Sequence, residues 1–218
     1  MKPFYSFTIL GLFAATAHGA TLITTGQTVG GASPISVDPT TGVAGGGGPG
    51  SPNIASTSTA GGNLAITFST TPANNDFYVT WSGITIPTAT HTFVQIDFLA
   101  ASSGAVDGPL SIFWADSDSG IGGPNNSSTG LGTGTVSTSG SYSVVIDLND
   151  GGTNTSGATG WGGGNATAFR LDLFELPANN GETFTISGVT FGQALVPEPS
   201  VFGLFGLGGA IALIRRRR

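Results

Sequence analysis

"TFTISGVTFG", residues 183–192, alternates apolar and polar side chains but changes phase partway along. Phe184 and Ile186 share one face of a strand, whereas Val189 and Phe191 fall in the opposite phase, and the switch lies across Gly188. Side chains repeat every two residues in a strand, so all four stay on one face only if an extra residue is inserted. The stretch therefore predicts a bulged strand, buried on one side.

Outward from it, the same period recurs. Leu64, Ile66 and Phe68 alternate, as do Phe77, Val79 and Trp81; Val94, Ile96 and Phe98; Leu110, Ile112 and Trp114; Tyr142, Val144, Ile146 and Leu148; and Phe169, Leu171 and Leu173. Polar residues such as Gln95, Asp97, Arg170 and Asp172 occupy the opposite faces, as in half-buried antiparallel sheets. Turns rich in Gly, Asn and Pro ("PANND", "PANNG", "GGPNNSSTG") separate the runs. Seven or more short strands with such turns predict an all-β antiparallel sandwich. Before it, residues 20–62 read as a Gly/Pro/Ser/Thr-rich lead-in, in which "TLITT" (21–25) is a credible first strand and "GVAGGGGPGSPN" (42–53) a flexible loop.

Composition narrows the function. The chain has 218 residues, 37 of them Gly, with 8% charged residues and no Cys, which excludes disulfides, thiolate metal sites and a cysteine nucleophile. Arg170 is the one basic residue between positions 21 and 196, against eleven acids, a formal net charge of −10 for the body. A surface so acidic repels phosphate backbones, so nucleic acid is excluded as a partner.

The ends read as addresses. "MKPFYSFTILGLFAATAHG" (1–19) has a basic start at Lys2, an apolar run from Phe4 to Ala15 and small residues after it, the layout of a secretory signal that engages the export machinery. At the other end, "VPEPSVFGLFGLGGAIALIRRRR" (196–218) joins a Pro-Glu-Pro step to an uncharged run over 201–214 and four arginines. The run predicts a short transmembrane helix, and the arginines would stay cytoplasmic and leave the body outside. Val196, Pro197, Glu198 and Pro199, the Gly-rich apolar run and Arg215, Arg216, Arg217 and Arg218 resemble the PEP-CTERM sorting signal of exported bacterial proteins. That resemblance implies an exosortase, a membrane-embedded cysteine transpeptidase, as partner. It also implies replacement of the tail by another attachment, and a setting at the cell surface or in a polysaccharide-rich biofilm matrix. An unprocessed tail anchor is the competing reading.

The organisation expected is thus a signal over 1–19, a lead-in over 20–62, a sandwich over 63–194 and a sorting signal over 195–218, with a signal helix and a short transmembrane helix flanking the sandwich. "GSYSVVIDL" (140–148), a glycine loop bearing Trp161, "AFRLDLFEL" (168–176) and "GETFTISGVTFG" (181–192) resemble the last strands of galactose-binding-like carbohydrate modules. The resemblance implies a jelly roll.

Chemistry-bearing residues are few. His91, the one histidine after the signal, opens a strand with no nucleophile elbow nearby, and reads as a satisfied strand-end residue rather than a base. Glu175 and Glu182 flank one turn and are the best carboxylate pair for glycoside hydrolysis, although charges beside turns ordinarily serve solubility. In "DSDSG" (116–120), Asp116 and Asp118 could share a structural Ca²⁺, against an ordinary polar turn. Trp161 either closes the end of the sandwich or stacks on a sugar; Trp81 and Trp114 are in phase with core residues. No cofactor other than Ca²⁺ is called for. The expected role is non-catalytic, structural or adhesive, at the cell surface or in the extracellular matrix. The alternatives are a carbohydrate-binding module using Trp161 and a polysaccharide hydrolase using Glu175.

Overall fold

The computed structural model describes residues 22–197, apart from 24–26, 49–50, 73, 100, 102–105, 116–120, 122–126, 129–132, 137–141, 149–160, 162–163 and 175. The signal and transmembrane helices expected at the two ends therefore lie outside the described residues. In chain order the elements are β1 (Leu22–Ile23), β2 (Gln27–Gly30), β3 (Ile35–Val37), a 3₁₀ turn (Pro39–Thr41), β4 (Val43–Gly45), β5 (Gly47–Gly48), β6 (Ser51–Pro52), β7 (Ile54–Ala60) and β8 (Asn63–Phe68). They continue with β9 (Tyr78–Pro87), β10 (Phe93–Leu99), β11 (Val106–Ala115), β12 (Ser127–Ser128), β13 (Thr133–Val136), β14 (Tyr142–Asp147), β15 (Asn165–Leu173), a second 3₁₀ turn (Pro177–Asn179), β16 (Thr183–Gly192) and β17 (Ala194–Pro197).

The fold is an all-β antiparallel sandwich. One sheet runs β1-β14-β10-β16-β8-β7 with β3 also on β16; the other runs β12-β11-β15-β9-β4 with β13 also on β11. The inward-facing residues named above fill the space between them: Ile66, Phe68, Val79, Trp81, Ile96, Phe98, Ile112, Ile146, Phe169 and Leu171 are all fully buried. Two aromatic groups dominate. Phe68 stacks on Phe77 at 4.0 Å, with Phe184 at 5.0 Å from Phe68 and Phe174 at 5.7 Å from Phe184. At the other end Phe169 meets Phe191 edge-on at 5.2 Å. Offset and edge contacts of this kind suit the ring quadrupoles.

The phase change in β16 is a bulge. Asp97 of β10 pairs with Gly188 and Phe98 with Ile186, which leaves Ser187 as the extra residue. Phe184, Ile186, Val189 and Phe191 consequently all face the core, each no more than 1% exposed.

The lead-in is more ordered than its composition suggests. β3 pairs with β16, β4 with β9 and β7 with β8, so these three strands extend the sheets instead of preceding them. "TLITT" does supply the first strand, β1, paired with β14. Glycine-rich sequence is accommodated in β4 because Gly45 lies opposite Tyr78, whose ring covers it; a Cβ there would come within 2.7 Å of Cε2. The side chain missing from one strand is supplied by its neighbour.

Because Phe184 joins Phe68, Phe98 and Phe174 in one fully buried group, Phe184→Ala is expected to cost about 3–5 kcal/mol. Equilibrium urea unfolding would show this as a lower midpoint with an unchanged slope.

Candidate functional site

The first two residues of the Pro-Glu-Pro step region, Val196 and Pro197, belong to a strand of the folded body. β17 pairs antiparallel with β2 in a separate two-stranded ribbon: Ala194 faces Gly30, Leu195 faces Val29, Val196 faces Thr28 and Pro197 faces Gln27. The Gln193 amide donates to the Gly30 carbonyl at 2.8 Å, and the Thr28 hydroxyl to the Val196 carbonyl at 3.4 Å. Val196 is 44% exposed. Glu198, Pro199, Arg215, Arg216, Arg217 and Arg218 lie outside the described residues.

The ribbon crosses the outer face of the first sheet and is pinned there by one side chain. Gln95, on the polar face of β10, accepts from the Val29 amide through Oε1 at 2.8 Å. Its Nε2 donates to Asp97 Oδ1 at 2.7 Å, and the Ser143 hydroxyl donates to the same oxygen at 2.6 Å. A Gln side chain flanked by a carboxylate acceptor is thereby held with its carbonyl oxygen toward the ribbon. Close approach is permitted by Gly192, whose absent Cβ would overlap Val29 Cγ1 and the Gly30 carbonyl.

A second cluster lies on the outer face of the other sheet. Arg170 of β15 sits between Tyr78 of β9 and Phe113 of β11, with its guanidinium carbon 3.8 Å and 5.0 Å from the two ring centroids. Nε and Nη2 donate to the Asp172 carboxylate at 2.5 and 2.7 Å, and Nη2 also donates to Asp76 at 3.1 Å. The Asp76 loop is braced by buried Asn53, whose Nδ2 donates to the Asp76 carbonyl at 2.7 Å. Nη1 makes no hydrogen bond among the described residues. Burial pushes the Asp172 carboxyl up to about 6, against the opposing pull of Arg170. Period-two alternation had placed Arg170 and Asp172 together on this face; it carried no sign that aromatic rings on both neighbouring strands would enclose the guanidinium.

Trp161 closes the end of the sandwich. It is 6% exposed, stacks on Phe191 at 6.1 Å with planes 6° apart, and meets Trp114 edge-on at 5.4 Å. Its indole N–H donates to the His91 carbonyl at 2.7 Å. The exposed ring face that a sugar-stacking role requires is therefore missing, because the indole lies on Phe191 and against Trp114. Trp81 and Trp114 are core residues, 0% and 3% exposed. His91 is itself buried, with Nε2 2.9 Å from the Ser33 carbonyl and Nδ1 3.0 Å from the Thr90 hydroxyl. Both ring nitrogens are engaged, as the strand-end reading expected.

Asp116, Asp118 and Glu175 lie outside the described residues. No group of three His, Cys, Asp or Glu among the described residues is arranged to hold a metal ion, and no helix among them is long and apolar enough to cross a membrane. A shallow groove of about 500 Å³ opens beside the β16 bulge, lined by Ser36, Asp38, Gly62, Ser187, Gly188 and Thr190. Its one carboxylate, Asp38, is occupied by the amide and hydroxyl of Thr40 at 2.9 and 2.7 Å, which hold its pKa below the usual aspartate value.

Residues 195–218 match the PEP-CTERM protein-sorting motif. The motif marks an exported protein sorted at the cell envelope. No curated protein matches the chain. Among solved structures, the chain is similar to a low-affinity xylan-binding module from Roseburia intestinalis, with 16% identity, a TM-score of 0.38, and 76% of this chain and 97% of that one covered. It is also similar to a module from Clostridium stercorarium determined in complex with cellobiose (16% identity, TM-score 0.35, covering 74% and 94%). A third similar structure is the N-terminal cellulose-binding domain of a Cellulomonas fimi β-1,4-glucanase (14%, 0.36, 82% and 98%).

Asp172 gives a test of the second cluster. Its folded pKa lies above the ordinary 3.8, so the folded protein binds the proton more tightly than the unfolded chain does. The stability contributed by the protonated form is fully present below pH 3.8, declines as pH rises from there to 6, and is gone above that, a change on the order of 3 kcal/mol. In Asp172→Asn this component of the pH dependence should vanish. Unfolding free energies measured from pH 4 to pH 8 check it, and an identical slope in the two proteins would refute the assignment.

Proposed function

We propose that the protein is an exported, acidic β-sandwich with a non-catalytic structural or adhesive role at the cell surface or in the extracellular matrix. Its tail is removed by an exosortase-like membrane transpeptidase. In that step the enzyme's thiolate displaces the tail from the scissile carbonyl, the tail leaves with a new amino group, and the acyl-enzyme passes the body to an acceptor nucleophile. The observation that carries the reading is the match of residues 195–218 to a protein-sorting motif whose start, through Val196 and Pro197, lies in β17, the last described strand, paired with β2 in a two-stranded ribbon. The N-terminal pattern over 1–19 supports export, and the net charge of −10 over the body suits a protein kept off nucleic acid and other anionic surfaces.

The second reading is a carbohydrate-binding module. What favours it is the Tyr78–Arg170–Phe113 cluster: two partly exposed aromatic rings, a guanidinium between them and the carboxylate of Asp76 at its rim form a patch suited to apolar ring faces and hydroxyls. It replaces Trp161, whose ring is buried.

Intact mass of the mature protein from its native host tests the first reading. Loss of the chain beyond a point within 196–200, with an added group, is expected; a full-length tail in the membrane fraction would instead establish simple anchoring. For the second reading, retention on a glycan array should be lost in Arg170→Ala and kept in Trp161→Phe. Absence of retention by the unaltered protein would leave the structural role alone.

A further inference from the structure

We infer that the β2–β17 ribbon is a positioning device for removal of the tail, and that Gln95 is its positioning residue; this rests on the sorting reading above. Val29 spends its amide on Gln95, on the side away from β17. In an antiparallel pair successive residues point their N–H and C=O groups to alternate sides, so Thr28 and Gly30 direct theirs toward β17. Their register partners, Val196 and Ala194, are thus the residues of β17 tied to the ribbon, while Leu195 and Pro197 face its other edge.

Two consequences bear on the sorting step. First, the bonded pairs end at Thr28–Val196, one residue short of Pro197, which has no N–H to give, so no slack chain separates the folded body from the Pro-Glu-Pro step. Second, the ribbon has only two strands, so one edge of β17 is unpaired among the described residues. An extended segment can be recognised by strand addition, with main-chain hydrogen bonds made along one free edge. A segment already held extended gives up little further freedom on docking, and its orientation relative to the membrane enzyme is set by the body. Gln95 fixes that orientation through Val29, and Asp97 and Ser143 fix Gln95. Processing is therefore coupled to folding: the ribbon exists only when β10, β14 and β16 have assembled beneath it.

The test follows tail removal by mass after pulse labelling in the exosortase-bearing host, using the full chain. Gln95→Ala and Thr28→Pro should each slow removal about tenfold, the rate equivalent of one lost hydrogen bond, and spread the cut over neighbouring bonds. Thr28→Val, which keeps the backbone amide, should be processed at the normal rate and position. A structural role alone would alter thermal unfolding without moving the position of the cut. Unchanged or faster removal at a single position in Gln95→Ala would overturn the inference, and that variant keeps the test decisive if Thr28→Pro fails to fold. Glu198→Ala separates the two readings: if it and the unaltered protein both keep their tails, the sorting reading falls and this inference with it. If only Glu198→Ala keeps its tail, sorting stands and the ribbon variants decide.

Discussion

The single residue inserted into β16 at Ser187 is the constraint on which the rest of the structure depends. β16 pairs with β10 along one side and with β8 and then β3 along the other. Without the extra residue, a strand of this length would turn either Phe184 and Ile186 or Val189 and Phe191 into solvent, since a one-residue slip exchanges the faces. With it, Phe184 enters the aromatic group around Phe68 and Phe174, and Phe191 becomes the surface on which Trp161 lies. The same offset brings Gly188 against Asp97, where a Cβ would stand 2.5 Å from Oδ2. Asp97 orients Gln95, Gln95 holds β2, and β2 holds the start of the sorting motif.

How far this was legible in the sequence depends on the range of the interaction. Period two and its break at Gly188 are local, so the inward faces, the bulge and the core positions of Trp81 and Trp114 could be read directly. Trp161 could not. Its loop is rich in glycine, which suggests exposure, and the groups that bury it are the His91 carbonyl, 70 residues away, and Phe191. The lead-in misled for a related reason: few apolar side chains are needed where a strand is edge-paired or covered by a neighbour's ring, as Gly45 is by Tyr78. The ribbon was the least legible element, because "QTVG" has no period to show and its partner lies at the other end of the chain.

The outer faces of the two sheets handle charge in different ways. On the first, Asp97 keeps its carboxylate among neutral donors, a Gln amide and a Ser hydroxyl, and serves geometry. On the second, the lone base of the body is committed to two carboxylates and enclosed by two rings. Removing Arg170 would leave Asp172, which is 5% exposed, as a buried carboxyl with neither its ion pair nor ready access to water. Any ligand for that face must therefore be recognised around an Arg already held in place, which favours neutral hydroxyls over a second anion competing with Asp76 and Asp172.

Antiparallel pairing of β2 with β17 also sets where the chain leaves the folded body. Gln27 faces Pro197, so the chain enters the ribbon and leaves it at the same tip, with paired Cα atoms about 5 Å apart. Two parts of the chain near the start and the end of the body thus meet at one tip, although 169 residues separate Gln27 from Pro197 in the numbering. A pull on the chain beyond Pro197 therefore loads β17 from the ribbon tip before it reaches the core. Such a pull peels β17 from β2 pair by pair, beginning at Gln27 and Pro197, a pair without ribbon hydrogen bonds, and meeting its first full resistance at Thr28 and Val196. The body beneath, anchored to the ribbon by Gln95 and by the close seat of Val29 on Gly192, is the last part to feel it.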